Sequence, residues 1–205
     1  MKKPTINFQP EFKLWLACSA PGSFRQCLEY VFFKNGYAYA SNSQILAKLP
    51  LELLTTFEEG QRELLNGFAI HGSLLKFIVG FENVTVEKVL VRENGMDKFA
   101  VQLVARKGDN NVIIQLADTL TVTPPDFDAV LNNDVERKPI SDIGFRTKYL
   151  ADLTSALGAE SVKMSFTTDG NKVYVQPSFD ATGGYDVIGL IMPIIVEQTI
   201  PGFDE

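Results

Sequence analysis

Apolar residues recur at every second position at Phe12, Leu14, Leu16 and Cys18, which predicts a strand over Phe12–Ala20 that Pro21-Gly22 breaks. A second strand, Leu28–Phe33, runs into Lys34-Asn35-Gly36. Asn-Gly between apolar runs specifies a hairpin, because a type I′ turn needs positive φ at both central residues. Tyr37–Leu49 returns as a strand or strand pair. The period then changes. Leu64, Leu65 and Phe68 predict a short helix around Phe57–Asn66 stopped by Gly67, and Ser73–Val79 predicts another with Gly72 or Ser73 at its N-cap. Strand patterns resume at Val84–Arg92, Phe99–Arg106 and Val112–Leu120, with turns at Asn94-Gly95 and Gly108-Asp109-Asn110-Asn111. Thr123-Pro124-Pro125-Asp126 closes this block.

Asn132–Pro139 is polar and charged and reads as a linker, after which the pattern restarts. Ile140–Phe145 is a short strand. Thr147–Leu157 is the best helix in the chain: Tyr149, Leu150, Leu153, Ala156 and Leu157 form one apolar stripe, and Gly158 suits the position just past its end. Ser161–Thr167, an Asp169-Gly170 turn, Lys172–Pro177 and Tyr185–Val196 complete the chain. A strand, a helix and about three antiparallel strands thus recur over 68–122 and 140–196, with a weaker copy at 11–52 whose helix is reduced. The predicted class is α+β, built from pseudosymmetric half-units. The predicted division is a domain over 1–132, a linker over 133–139 and a further half-unit over 140–205.

Composition narrows the function classes. The 205 residues are 45% hydrophobic and 21% charged, as in ordinary globular proteins, and the net charge is −6. That sign argues against a small basic nucleic-acid module, but not against a protein that surrounds DNA, where only an inner surface need be positive. Cys18, Cys27 and His71 are too few and too scattered for a structural zinc site, and two reduced thiols are the expected state in a cytosolic chain. No apolar run follows Lys2 and Lys3, so no secretory signal is read, and Val187–Val196 is short of the ~20 residues a bilayer needs. The expected location is cytoplasmic.

A resemblance lies in the second copy. Phe145-Arg146-Thr147-Lys148-Tyr149-Leu150-Ala151-Asp152-Leu153-Thr154-Ser155-Ala156-Leu157 resembles the last helix of the bacterial DNA polymerase III beta subunit, the sliding clamp, whose pattern there is F-x-x-x-Y-L-x-D-x-L-x-A-L. Thr154 stands where that family usually has an apolar residue. Glu160, Val162 and Met164 follow at the family's E-x-V-x-M spacing, and Leu190-Ile191-Met192-Pro193-Ile194 resembles its closing V-M-P-M strand. Upstream, Ala40-Ser41-Asn42-Ser43-Gln44-Ile45-Leu46-Ala47 is similar to A-T-D-G-H-R-L-A, and Pro124-Pro125-Asp126-Phe127 to F-P-D-Y. The resemblance covers most of 25–196 and suggests a truncated or divergent member. A family chain carries six half-units and this one has room for about three, so either more chains close a ring or no ring forms.

The resemblance implies a DNA-clamp fold and a scaffold without catalysis or cofactor. It would encircle or contact double-stranded DNA without sequence preference, assemble as a homo-oligomer and dock replication or repair proteins through short peptides. The implied peptide pocket is Ser41, Ser43, Leu46, His71, Leu190, Met192 and Pro193, with His71 where the family has proline; the competing reading makes Leu46, Leu190 and Met192 plain core. The implied DNA-facing residues are Arg62, Lys76, Arg146 and Lys148, a thin basic lining that Asp152 works against; the competing reading is a solvated helix face. The alternative function is a clamp-fold protein-interaction module without DNA binding.

Other chemistry is sparse. No GxSxG, GxxxxGK or GxGxxG motif occurs, and no sequence neighbour makes His71 a recognisable catalytic base. Asp126, Asp128 and Asp134 read as an acidic loop in preference to a metal site, and Thr182-Gly183-Gly184 as a turn. Phe24, Tyr30, Phe32, Phe33, Tyr37 and Tyr39 read as core and cross-strand pairs before a base-stacking platform. Gln198-Thr199-Ile200-Pro201-Gly202-Phe203 resembles the glutamine-plus-aromatic peptides that clamps bind, although a disordered terminus is the expected state.

Overall fold

The Asn35-Gly36 turn forms as the sequence requires, with φ of 52° and 78°, and joins β1 (Tyr30–Lys34) to β2 (Tyr37–Ser41) in antiparallel register, Lys34 opposite Tyr37. A computed structural model describes residues 7–93, 95–107, 110–131, 143–167, 171–178 and 186–194. The predicted linker at 133–139, the Asp169-Gly170 turn, Thr182-Gly183-Gly184, Asp134 and the 198–203 tail lie outside these residues.

Eight strands form one sheet. With β3 (Ile45–Pro50), β4 (Phe68–His71), β8 (Ala117–Asp118), β9 (Val162–Phe166), β10 (Val173–Pro177) and β11 (Ile188–Ile191), the order is β8-β4-β1-β2-β3-β11-β10-β9. Every named pairing is antiparallel. The last strand, β11, thus lies between β3 and β10, and Lys48 crosses that seam to pair with Asp186 at 2.6 Å. Three further strands, β5 (Glu82–Glu93), β6 (Met96–Lys107) and β7 (Asn110–Gln115), make a second sheet. Its first pair is irregular between Glu82 and Thr85, where Asn83 takes a φ of 55°.

Alternation along the strands gives the large sheet two apolar faces. Val31, Phe33, Ala38, Ala40, Ile45, Ala47, Leu49, Val173, Val175 and Ile191 point into the main core. Three helices cover that face, α1 (Leu51–Leu54), α3 (Gly72–Ile78) and α5 (Thr147–Ala156), and α2 (Glu59–Leu65) packs against β5. Leu153, Ala156 and Leu157 of the α5 stripe are buried as the periodicity predicts, and they approach the sheet where Gly189 leaves room. The opposite face carries a second core of Phe32, Tyr39, Leu46, Ala69, Tyr174 and Leu190, closed by Phe127 of α4 (Phe127–Leu131).

One expectation changes. Phe12–Ala20 is no strand: Leu14–Ala17 is a 3-10 turn whose Leu14 and Ala17 are both fully buried, a spacing of three that overrides the period-two reading. The strands of the two copies are shared out between the sheets. β4 belongs to the large sheet while β5–β7 form the small one, and β11 of the later copy bonds to β3 of the earliest. Of the Ile140–Phe145 strand, Gly144 makes a bridge to Ile194, and 140–142 lie outside the described residues.

Candidate docking and DNA-facing sites

The register brings three of the seven predicted pocket residues into one row. Ser41 lies opposite Leu46, and Leu46 opposite Leu190, so three of its residues share one face across β2, β3 and β11. Leu46 and Leu190 are only 3% and 2% exposed, so they form a floor and offer no open wall. Met192 and Pro193, half-buried, run on from that strand, and the Met192 N–H donates to the Gln44 carbonyl at 2.8 Å. That contact lands in the β2–β3 turn. There the Asn42 side chain accepts from the backbone of Gln44 and Ile45 at 3.0 Å each, and Ser41 Oγ donates to the Ile45 carbonyl. Ser43, exposed at a φ of 76°, forms its outer edge.

His71 does not share the row of Leu46 and Leu190, although it lines one cleft with Asn42. It lies on β4, three strands from β3 and so about 14 Å away at ordinary strand spacing. There it ties three segments together. Its Nε2 meets Glu29 Oε2 at 3.1 Å, its Nδ1 lies 2.8 Å from Ser73 Oγ and accepts from the Ser73 N–H, and its ring stands edge-on to Tyr30. With Nδ1 accepting, Nε2 carries the proton donated to Glu29. The other Glu29 oxygen accepts from the Ser23 N–H at 2.8 Å. The hydrogen bond from His71, aided by the backbone amides, holds the Glu29 carboxyl below the ordinary carboxylate range despite its burial.

Beside this network a cleft of about 500 Å³ opens between the 3-10 turn, α3 and α5. Trp15, Asn42, Lys76, Lys148 and Tyr149 are among its walls. Two of the four predicted DNA-facing residues therefore share one cavity from different helices. Lys148 pairs with Asp152 one turn along, which neutralises part of its charge. Arg146 stands at the N-cap of α5 with its guanidinium 5.7 Å from the Tyr149 ring. Arg62 is committed elsewhere, donating from Nη1 to the Phe57 carbonyl at 2.6 Å. Elsewhere on α3, outside the cleft lining, Leu74 (40%) and Phe77 (52%) are exposed. Cys18, at the cleft wall, is buried enough to push its thiol up to about 12.

The sequence reading missed Glu29 and Phe127, and it set the α3 N-cap at Gly72 or Ser73 where the cap is His71, whose side chain accepts from the Ser73 N–H. The spacing of His71 and Ser73 at a helix start was a usable signal for capping, but nothing in the sequence links Glu29 to either. Among the described residues no group of three or more His, Cys, Asp or Glu could hold a metal ion, and no helix is long and apolar enough to cross a membrane.

No protein-family description matches the chain, and no curated protein does. Among solved structures it is similar to a protein from Eubacterium rectale ATCC 33656, provisionally assigned as a DNA polymerase III beta subunit. The TM-score is 0.53 at 11% identity, over 94% of this chain. The likeness is one of fold. The chain covers 65% of that protein's length.

Proposed function

We propose that this chain is a clamp-like scaffold of DNA replication or repair, a protein that holds others on double-stranded DNA and carries out no chemistry. The observation that carries the reading is the fold likeness over 94% of the chain to a protein provisionally assigned as a polymerase III beta subunit. Lys76 and Lys148 in one cleft support it, with Arg146 beside them: contact to phosphates needs cations on a shared surface and no base readout. On this reading Ser41, Ser43, Leu46, Leu190, Met192 and Pro193 mark the docking seam for partner peptides, and the segments either side of 133–139 are half-units joined through β3 and β11. On the same reading the ring closes by homo-oligomerisation, and the protein works in the cytoplasm without a cofactor.

Retention on circular DNA tests it. The protein is mixed with nicked plasmid and with the same plasmid linearised, and both are passed over a sizing column at 150 mM salt, with solution mass read by light scattering. Retention on the circle and loss from the linear form is the expected result. A monomer that leaves both forms alike refutes the ring. A second reading, a protein-interaction module on the same fold, is favoured by one observation: α3, which carries Lys76, also exposes Leu74 and Phe77, and apolar side chains suit a protein surface better than a phosphate track.

A further inference from the structure

We infer that α4 is a strap seated in a peptide groove of its own chain, and that the groove takes a short peptide segment carrying an aromatic residue between carboxylates. The inference rests on the reading of the outer sheet face as a docking surface. The backbone ladder of the sheet does not use α4, since β1, β2, β3, β11 and β10 each lie between two neighbouring strands. What α4 adds is chiefly one buried side chain. Phe127 is 2% exposed, stacked on Tyr39 at 5.1 Å with planes 8° apart and tilted against Phe32 at 5.7 Å, whereas Asp126, Asp128, Ala129 and Val130 are exposed.

The surroundings fit an acidic aromatic segment. Lys34 pairs with Asp128 at 2.5 Å, Lys172 Nζ reaches the Val130 carbonyl, and the Tyr174 hydroxyl reaches the Leu131 carbonyl. Lys48 lies on the same face, over the Tyr37 ring. A basic rim thus meets a strap that carries carboxylates on either side of its aromatic anchor. The groove also exceeds its occupant. A cavity of about 210 Å³ lies beside Phe127, bounded by Phe32, Phe33, Lys34 and Pro124, and Met192 packs against the same core from the β11 side. A partner segment with this chemistry and a larger ring fills more of the groove than the strap does, and displaces it.

The test is a fluorescein-labelled peptide with the sequence of residues 124–131, titrated by anisotropy against the full chain and against Phe127→Ala. A groove occupied by its own strap binds a competing peptide more weakly in proportion to the fraction open. Emptying it is therefore expected to tighten binding by about tenfold or more, and the same peptide with alanine for phenylalanine should bind neither protein. A folded Phe127→Ala chain that binds no better than the parent overturns the inference and leaves Phe127 as ordinary core. Should Phe127→Ala not fold, Asp128→Lys loosens the strap from its exposed side without touching the core. It is expected to tighten binding about threefold, and no change overturns the inference equally. Neither arm uses DNA or an oligomer, so failure here is separable from failure of the clamp reading.

Discussion

Gly189 sets how closely α5 lies on the sheet, and replacing it with alanine tests whether that approach is as tight as the geometry states. A Cβ built there stands 2.9 Å from Cδ1 of both Leu153 and Leu157 and 3.2 Å from the second Leu153 methyl. Terminal methyls ordinarily swing aside, but these two leucines are 0% and 1% exposed and have no space to enter. Two effects compete. Alanine restricts the unfolded chain and returns ~0.4–1 kcal/mol, whereas overpacking a closed core costs ~1–3 kcal/mol. The clash wins, so Gly189→Ala should lose about 1–2 kcal/mol, which for a chain of this size is a Tm about 3–6 °C lower. Urea unfolding followed by circular dichroism measures it, with an unchanged slope. The pair Gly189→Ala and Leu153→Ala adds a sharper check. Leu153→Ala alone should cost about 2–5 kcal/mol, but in the double variant the new methyl enters the vacated space, so the two losses should fall short of additive by about 1 kcal/mol. A Gly189→Ala chain as stable as the parent, or strict additivity, refutes the argument.

Other perturbations follow from the sites. Glu29 has a carboxyl held below its ordinary range, so its charged form stabilises the fold above the unfolded carboxyl pKa of about 4.3, and that contribution is lost as pH falls through the lower folded value. The urea midpoint of Glu29→Gln should lie below the parent's at pH 7, and the gap should close in the acid range; a gap that widens there is the wrong sign. Each of Lys76→Ala and Lys148→Ala should lower the slope of log affinity for duplex DNA against log salt by about 0.9 if each lysine meets one phosphate, whereas Arg62→Ala should not. At pH 8 the Cys18 thiol, pushed up to about 12, should react with a thiol reagent far more slowly in the native chain than in urea, read by mass spectrometry of the labelled peptides.

What the sequence made legible follows from the length over which a pattern repeats. Ten residues of α5 carry a full apolar stripe, and the helix stands within a residue of its predicted span. The Asn35-Gly36 hairpin was readable because one backbone conformation demands those residue types. The 3-10 turn at Leu14–Ala17 was not, because four residues can satisfy a strand pattern and a helical one equally. The five-residue α4 lay below any period, and so the burial of Phe127 was invisible. The row across β2, β3 and β11 was partly legible: the resemblance grouped Leu46, Leu190 and Met192, but where β4 and His71 stand relative to them is set by a strand order that only long-range pairing decides. Glu29 is an acidic residue in a short apolar run, and its side-chain partner, His71, stands 42 positions later.

The seam between β3 and β11 also bears on how the protein is made. β3 is complete once residue 50 has emerged, but its neighbour is not synthesised until residue 188. At ~5–20 residues per second the strand waits several seconds to half a minute with one edge unpaired. During that interval Ile45-Leu46-Ala47-Lys48-Leu49 is an apolar strand open to any passing chain, and Lys48 is its one charge. A lysine at that place keeps like strands apart while the edge is bare, and becomes the Asp186 partner once it is closed. Crowded ribosomes should therefore be where a Lys48→Val chain first fails, as aggregates during synthesis, before any loss is seen in the stability of the finished fold.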